Sequence, residues 1–285
     1  MSRVSLRKVS DMECQLENAN VNYEVFGTGR PIVLLHAGMT DHRQITGCME
    51  PCFTKHEGWK RIYPDLPGMG KTSGHEWITN SDEMVEVICE FIDAVIPSEA
   101  FVLGGYSYGA YLVRGVLQRK FGQVDGLLLV CPVTIANSEE RTKPPQEILV
   151  KDPELISKLS PDEREFFEIF GTVQSHRIWE RTRNEVIGGF ALLDEPFFSR
   201  LQSDGYTFSD VDTSISQFLK PTLIVVGRQD CIVGYWDAWK LIEQYPRATY
   251  VVLDRAGHNL PIEQEELFNL LVSEWLDRVE ESSLS

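Results

Sequence analysis

Three side chains in this sequence have the types needed to turn a hydroxyl into a nucleophile: Ser107, Asp230 and His258. Ser107 lies in Leu103-Gly104-Gly105-Tyr106-Ser107-Tyr108-Gly109-Ala110, a G-x-S-x-G pattern between the apolar runs Phe101-Val102-Leu103 and Tyr111-Leu112-Val113. A serine on a tight strand-to-helix turn has strained backbone angles, and glycines two residues either side remove the side chains that would clash there. A lone G-x-S-x-G also describes a strand running into a Gly-rich helix start, so its meaning rests on what else converges with it. Asp230 follows Val226-Gly227-Arg228-Gln229, and His258 follows Leu253-Asp254-Arg255-Ala256-Gly257, each just beyond an apolar run. The chemistry needs all three: a serine hydroxyl is a poor nucleophile, a histidine must take its proton, and a carboxylate must orient and stabilise the imidazolium. Asp254 is a second candidate acid. Its place only four residues before His258 argues for a structural role, so Asp230 is preferred.

The elements that must position these residues are legible as alternating patterns. Residues 14–29 alternate apolar and polar around an Asn-rich turn, as an antiparallel hairpin does. Residues 31–36, 61–65, 101–103, 124–132, 221–227 and 248–253 read as strands, and the longer of these runs are continuously apolar. Such runs fit a parallel sheet covered on both faces. Between them come a helix with apolar positions from Met84 to Val95, with N-cap candidates in Asn80-Ser81-Asp82-Glu83 and Pro97 stopping it, one through Tyr111 to Leu117, one from Trp236 to Tyr245, and a last one through Leu267 to Leu276. Strand alternating with helix predicts parallel βαβ units. Their strands end on one sheet edge, where Ser107, Asp230 and His258 can meet. From about Thr134 to Asp212 the strand rhythm stops, and charged segments carrying many large apolar residues predict a helical insertion. The expected organisation is a core of residues 1–133 and 213–285 with a cap of residues 134–212.

Composition excludes several classes of function. The chain has 285 residues, 42% of them hydrophobic, and a formal charge of −16, which argues against nucleic acid or an anionic membrane as a partner. No secretory signal or membrane-spanning run is seen, so the expectation is a soluble cytoplasmic protein, monomer or homodimer. Gly70-Lys71-Thr72 matches the end of a phosphate-binding loop, but Asp65 stands where its first glycine should be and Pro67 removes an amide. The six cysteines sit singly and form no zinc pattern, so reduced thiols and no metal or cofactor are expected.

Taken together, Leu35-His36-Ala37-Gly38, Asp65-x-x-Gly68-x-Gly70, Gly105-x-Ser107-x-Gly109, Gly227-Arg228-x-Asp230 and Gly257-His258 resemble the capped members of the α/β-hydrolase superfamily over nearly the whole chain. The resemblance implies the α/β-hydrolase fold, with a mostly parallel central sheet, flanking helices and an inserted helical cap, and the chain order Ser, Asp, His agrees with it. It also implies an oxyanion hole from the N–H of Tyr108 and that of Gly38, with Met39 as the alternative second donor. The family usually has His-Gly where this chain has His36-Ala37. A serine at position 107 excludes the aspartate-nucleophile course of the dehalogenases and epoxide hydrolases that this fold resembles.

The expected activity is hydrolysis of small, largely apolar carboxylic esters through an acyl-enzyme. Lactone, thioester, amide and C–C bond hydrolysis remain as alternatives, and a catalytically idle ligand receptor on the same fold is a further one. Trp179, Phe190, Phe197, Phe198 and Tyr206 are candidates to line the pocket, with Trp179 and Phe198 put forward as substrate-binding residues. A proline iminopeptidase-like activity would need cap carboxylates to hold an ammonium group, for which Glu180, Glu185, Asp194 and Glu195 are available. His36 is expected to be a buried hydrogen-bonding residue of the oxyanion loop. His42, His56, His75 and His176 are read as solvated or capping residues, with His176 a candidate for substrate contact.

Overall fold

A computed structural model describes residues 8–204 and 217–282. Eight strands, β1 (Lys8–Gln15), β2 (Asn20–Phe26), β3 (Arg30–Leu35), β4 (Trp59–Pro64), β5 (Phe101–Tyr106), β6 (Val124–Val130), β7 (Thr222–Gly227) and β8 (Ala248–Leu253), form one sheet in the order β1-β2-β4-β3-β5-β6-β7-β8. β1 and β2 are antiparallel to their neighbours, and β3 to β8 run parallel with one another. The apolar runs become the central strands because helices cover both faces: Ile32 to Leu35, Phe101 to Leu103, Leu127 to Val130 and Leu223 to Val226 are all fully buried. The hairpin is longer than its sequence pattern indicates, since β1 begins at Lys8 rather than Cys14.

The covering helices of the core are α1 (His42–Met49), α2 (Ser81–Val95), α3 (Tyr108–Arg119) and, beyond the insertion, α9 (Trp236–Trp239), α10 (Leu260–Glu263) and α11 (Glu265–Glu281). α1 has no counterpart in the sequence reading because only Ile45, Cys48 and Met49 mark its apolar face. It is fixed instead by Asp41, whose carboxylate accepts from the N–H of Arg43 at 2.9 Å. Of the four N-cap candidates, Asn80 caps α2, its side chain accepting from the N–H of Glu83 at 3.0 Å. The helix expected from Trp236 to Tyr245 is a single α-turn followed by a 3₁₀ turn over Lys240–Glu243. All six cysteines are free thiols.

Between β6 and β7 the described chain carries α4 (Pro153–Lys158), α5 (Pro161–Phe170), α6 (His176–Arg181), a π-helical turn over Thr182–Ile187, α7 (Gly188–Phe190) and α8 (Glu195–Asp204). Its only extended pairing among the described residues is the bridge between Val150 and Val173. This helical segment packs on the core through buried apolar side chains such as Phe197 and Leu201 and also makes polar contacts with it. Arg43 donates to the carbonyl of Gly188 at 2.7 Å, Arg181 to that of Gly47 at 2.9 Å, and the N–H of Asp194 to that of Gly68 at 2.9 Å.

Candidate active site

The serine turn is built as its glycines require. Ser107 has φ 54° and ψ −113°, a strained positive-φ conformation whose sharp turn brings Gly105 and Gly109 against backbone. A Cβ on Gly109 would run into the carbonyl oxygens of Leu35 and His36, and one on Gly105 into the backbone of Gly109 and Ala110. The strain is held by backbone bonds: the N–H of Ser107 donates to Val130 at 2.9 Å, and its carbonyl accepts from Tyr111 and Val133. Ser107 thus ends β5 and opens α3, and its side chain reaches a cavity with the residue only 7% exposed.

β5, β7 and β8 end on the same edge, and the loops after them bring the three polar residues together. His258 Nε2 lies 2.9 Å from Ser107 Oγ, and His258 Nδ1 lies 2.8 Å from Asp230 Oδ2. With Nδ1–H donating to the carboxylate, Nε2 is left to accept from the serine hydroxyl. Asp230 is fully buried, and its Oδ1 accepts from the N–H groups of Ile232 and Val233 at 2.9 and 3.0 Å, so the side chain keeps its direction without solvent. Asp254 is exposed and accepts from Gln229 Nε2 at 2.9 Å; that hydrogen bond, with backbone help from Arg255, holds its carboxyl below the usual range. It ties the β7 and β8 loops together and does not meet His258.

Two buried side chains that sequence reasoning passed over hold the histidine loop. Tyr106 donates its hydroxyl to the carbonyl of His258. Glu263 accepts from the N–H of Gly257 with one oxygen at 2.6 Å and from those of Thr172 and Val173 with the other at 2.6 and 3.1 Å. One carboxylate therefore binds both the loop before His258 and the helical insertion. Burial pushes Glu263 up to about 7, against the three amide bonds that favour its charged form. Glu263 follows Gly257-His258 by five residues, a spacing that carried no chemical meaning until the fold brought Thr172 and Val173 to it.

The loop after β3 lies beside the serine. His36 is fully buried and neutral: Leu66 N–H donates to its Nε2 at 2.9 Å, its Nδ1 lies 2.7 Å from the carbonyl of Ala37, and burial lowers its proton affinity more than the nearby Asp65 raises it. The Ala37 N–H is already used, donating to Gln44 Oε1 at 2.8 Å. Gly38 and Met39 both line the cavity next to Ser107 and Tyr108, and Met39 is held at φ 67°. Tyr108 is the first residue of α3, and its hydroxyl is anchored 3.0 Å from Ser81 Oγ.

The other histidines differ from their sequence reading. His42 is no solvated cap: its Nδ1 sits 2.8 Å from Asp65 and its Nε2 3.1 Å from Glu24, and although burial opposes its charge, the two carboxylates raise it to about 9. His56 is buried with Nε2 2.7 Å from Ser273 Oγ, and His75 stacks on Trp77. His176 is exposed at the start of α6 and is not among the cavity-lining residues.

The cavity has a volume of about 640 Å³. Phe166, Phe170, Val186, Phe190 and Phe198 from the insertion form much of its apolar wall, and Asn137, Ser138, Arg141 and Gln202 a polar part. Trp179, put forward from the sequence as a substrate-binding residue, does not line it. Its ring packs 5.2 Å from that of Phe167, and both are buried in the apolar core, because α5 and α6 turn these side chains toward each other. Phe197 likewise turns away, onto Gly68 and Gly74. Tyr206 lies outside the described residues. Of the carboxylates considered for an ammonium group, Glu185 is paired with Arg181 at 2.6 Å and Asp194 accepts from the N–H of Phe197; neither these nor Glu180 and Glu195 line the cavity. Cys131, Asp230 and His258 approach one another closely enough to consider a metal, but His258 and Asp230 are bonded to each other and the thiol is held protonated by burial.

This eight-stranded, mostly parallel sheet, with a serine, a histidine and an aspartate hydrogen-bonded at its carboxyl edge, defines an α/β-hydrolase fold. A sequence model of the alpha/beta hydrolase family matches residues 32–269, and the chain belongs to that family. It is 27% identical to a 2-hydroxy-6-oxononadienedioate/2-hydroxy-6-oxononatrienedioate hydrolase of Burkholderia vietnamiensis, over 90% of this chain and 91% of that one. It is also 27% identical to the pimeloyl-[acyl-carrier protein] methyl ester esterase of Aeromonas salmonicida, over 84% and 92%. Among solved structures, an alpha/beta superfamily hydrolase from Oenococcus oeni PSU-1 superimposes with a TM-score of 0.86 at 29% identity, covering 94% of this chain and 99% of that one.

Proposed function

We propose that this protein is a serine hydrolase of small, largely apolar carboxylic esters. The observation that carries the reading is the unbroken hydrogen-bond chain from Ser107 Oγ through His258 to buried Asp230, opening onto a cavity walled by phenylalanines. Ser107 Oγ attacks the ester carbonyl as His258 Nε2 takes its proton, and Asp230 stabilises the imidazolium. The N–H groups of Tyr108 and Gly38 meet the charge that develops on the carbonyl oxygen, each such donor being worth on the order of 3 kcal/mol. His258 then returns the proton to the departing alkoxide, leaving an acyl-enzyme on Ser107 that water cleaves by the same steps. Residues 134–212 act as a cap that selects the acyl group through Phe190 and Phe198.

The relatives include both an esterase and a C–C bond hydrolase at equal identity, and the polar part of the cavity at Asn137, Ser138 and Arg141 makes C–C hydrolysis of a dienoic ketone the second reading. The aminopeptidase alternative loses its support with the four carboxylates outside the cavity. A panel of p-nitrophenyl acyl esters, a 2-hydroxy-6-oxo-dienoate and prolyl-naphthylamide separates the readings. Turnover of short acyl esters with no cleavage of the dienoate is the expected result; cleavage of the dienoate alone would replace the ester reading.

A further inference from the structure

Gln44 is only 3% exposed, lies in the first turn of α1, and reaches beneath the loop that follows β3. Its amide orientation is determined by its partners. The N–H of Ala37 donates to Oε1 at 2.8 Å and the Thr40 hydroxyl lies 3.1 Å from the same atom. A flipped amide would aim its NH2 at the Ala37 N–H, donor against donor, so the oxygen must face the loop. The remaining Nε2 has no acceptor among the described residues and is not one of the polar atoms sealed inside the protein; it opens onto the cavity that Gln44 lines together with Gly38, Ser107 and Tyr108. An amide donor held in one orientation and turned toward the cavity is free to donate to whatever acceptor enters it.

We infer that the side-chain amide of Gln44 is a third donor of the oxyanion hole, aimed at the same substrate oxygen as the amides of Gly38 and Tyr108. When Ser107 Oγ bonds to the carbonyl carbon, the π pair moves onto that oxygen and the serine proton goes to His258; Gln44 then donates to the resulting oxyanion without itself changing protonation. The inference rests on the serine-hydrolase reading above.

Gln44→Glu isolates this role, because the substituted side chain keeps the oxygen that braces Ala37 and Thr40 and exchanges only the cavity-facing NH2 for a carboxylate oxygen. A role confined to bracing predicts only the charge effect of the new carboxylate on kcat, which salt screens, whereas the loss of a donor persists at high salt. The donor role predicts a fall in kcat of about 10²-fold or more at pH 8, slowed fluorophosphonate labelling of Ser107, little change in KM, and partial recovery at lower pH as the introduced carboxyl takes a proton and becomes a donor. Wild-type kcat in Gln44→Glu, or a rise in KM alone, overturns the inference. Gln44→Met is the second variant should the first fold poorly: it removes the donor at similar volume, and undiminished kcat in it has the same force. Hydrolysis that survives Ser107→Ala would instead overturn the serine-hydrolase reading itself, so the two failures are told apart.

Discussion

The strand ends that carry Ser107, Asp230 and His258 and the helical segment above them are held in different ways. At the strand ends the set is held by a dense mesh of hydrogen bonds: Asp230 by two amides and His258, the Ser107 backbone by Val130, the His258 loop by the side chains of Tyr106 and Glu263. The insertion shares the apolar core through side chains such as Phe167, Trp179 and Phe197, and adds separate polar contacts to Gly47, Gly68, Arg43 and Glu263. The difference teaches that, on the proposed reading, chemistry sits at the strand ends and selectivity in the insertion, with Glu263 joining the two.

The sharpest way to break that comparison is to remove the nucleophile. Ser107→Ala is expected to lower ester hydrolysis by more than about 10⁴-fold with the melting temperature unchanged, and fluorophosphonate followed by mass spectrometry should label only Ser107 in the wild type. Labelling elsewhere would move the chemistry off this edge. Next in size, Asp230→Asn should cost about 10³–10⁴-fold in kcat by leaving His258 in the wrong tautomer. Asp254→Asn, which loses only a bond to Gln229, should stay within about threefold; the reverse ranking would mean the acid has been misassigned.

Within the cap the two aromatics should part company. Trp179→Ala is expected to destabilise the protein by about 3–5 kcal/mol, seen in chemical denaturation, with acyl-chain preference preserved. Phe198→Ala should instead shift the preferred p-nitrophenyl acyl length while changing the rate on acetate by less than about threefold. Equal losses on acetate and octanoate would make Phe198 a packing residue like Trp179.

The smallest effect concerns the loop beneath the site. His42 gains Asp65 and Glu24 as partners on folding, so its folded pKa of about 9 lies above its unfolded value. The stability it contributes is full below about pH 6.5 and is lost as pH rises through 9, on the order of 3 kcal/mol at most. The melting temperature of the wild type should therefore fall by several degrees between pH 7 and 9.5, and by less in His42→Phe; parallel curves would contradict the ion-pair assignment.

Much of this protein was legible before folding. Continuous apolar runs mark strands buried on both faces, and Gly105, Gly109, Gly227 and Gly257 mark where the chain must turn with no room for a side chain. Local sterics and hydrophobic periodicity act over a few residues, so a sequence displays them directly, and Ser107, Asp230 and His258 could be picked out because each stands beside such a signal. The roles of Gln44, Glu263, Tyr106 and His42, and the division of Trp179 and Phe197 from Phe190 and Phe198, were decided only by tertiary structure. These depend on which atom a side chain meets from segments up to 152 residues away, as Tyr106 meets His258. An aromatic in a helical insertion has the same sequence signature whether it faces a neighbouring helix or a cavity, and the packing of helices against the sheet alone determines which.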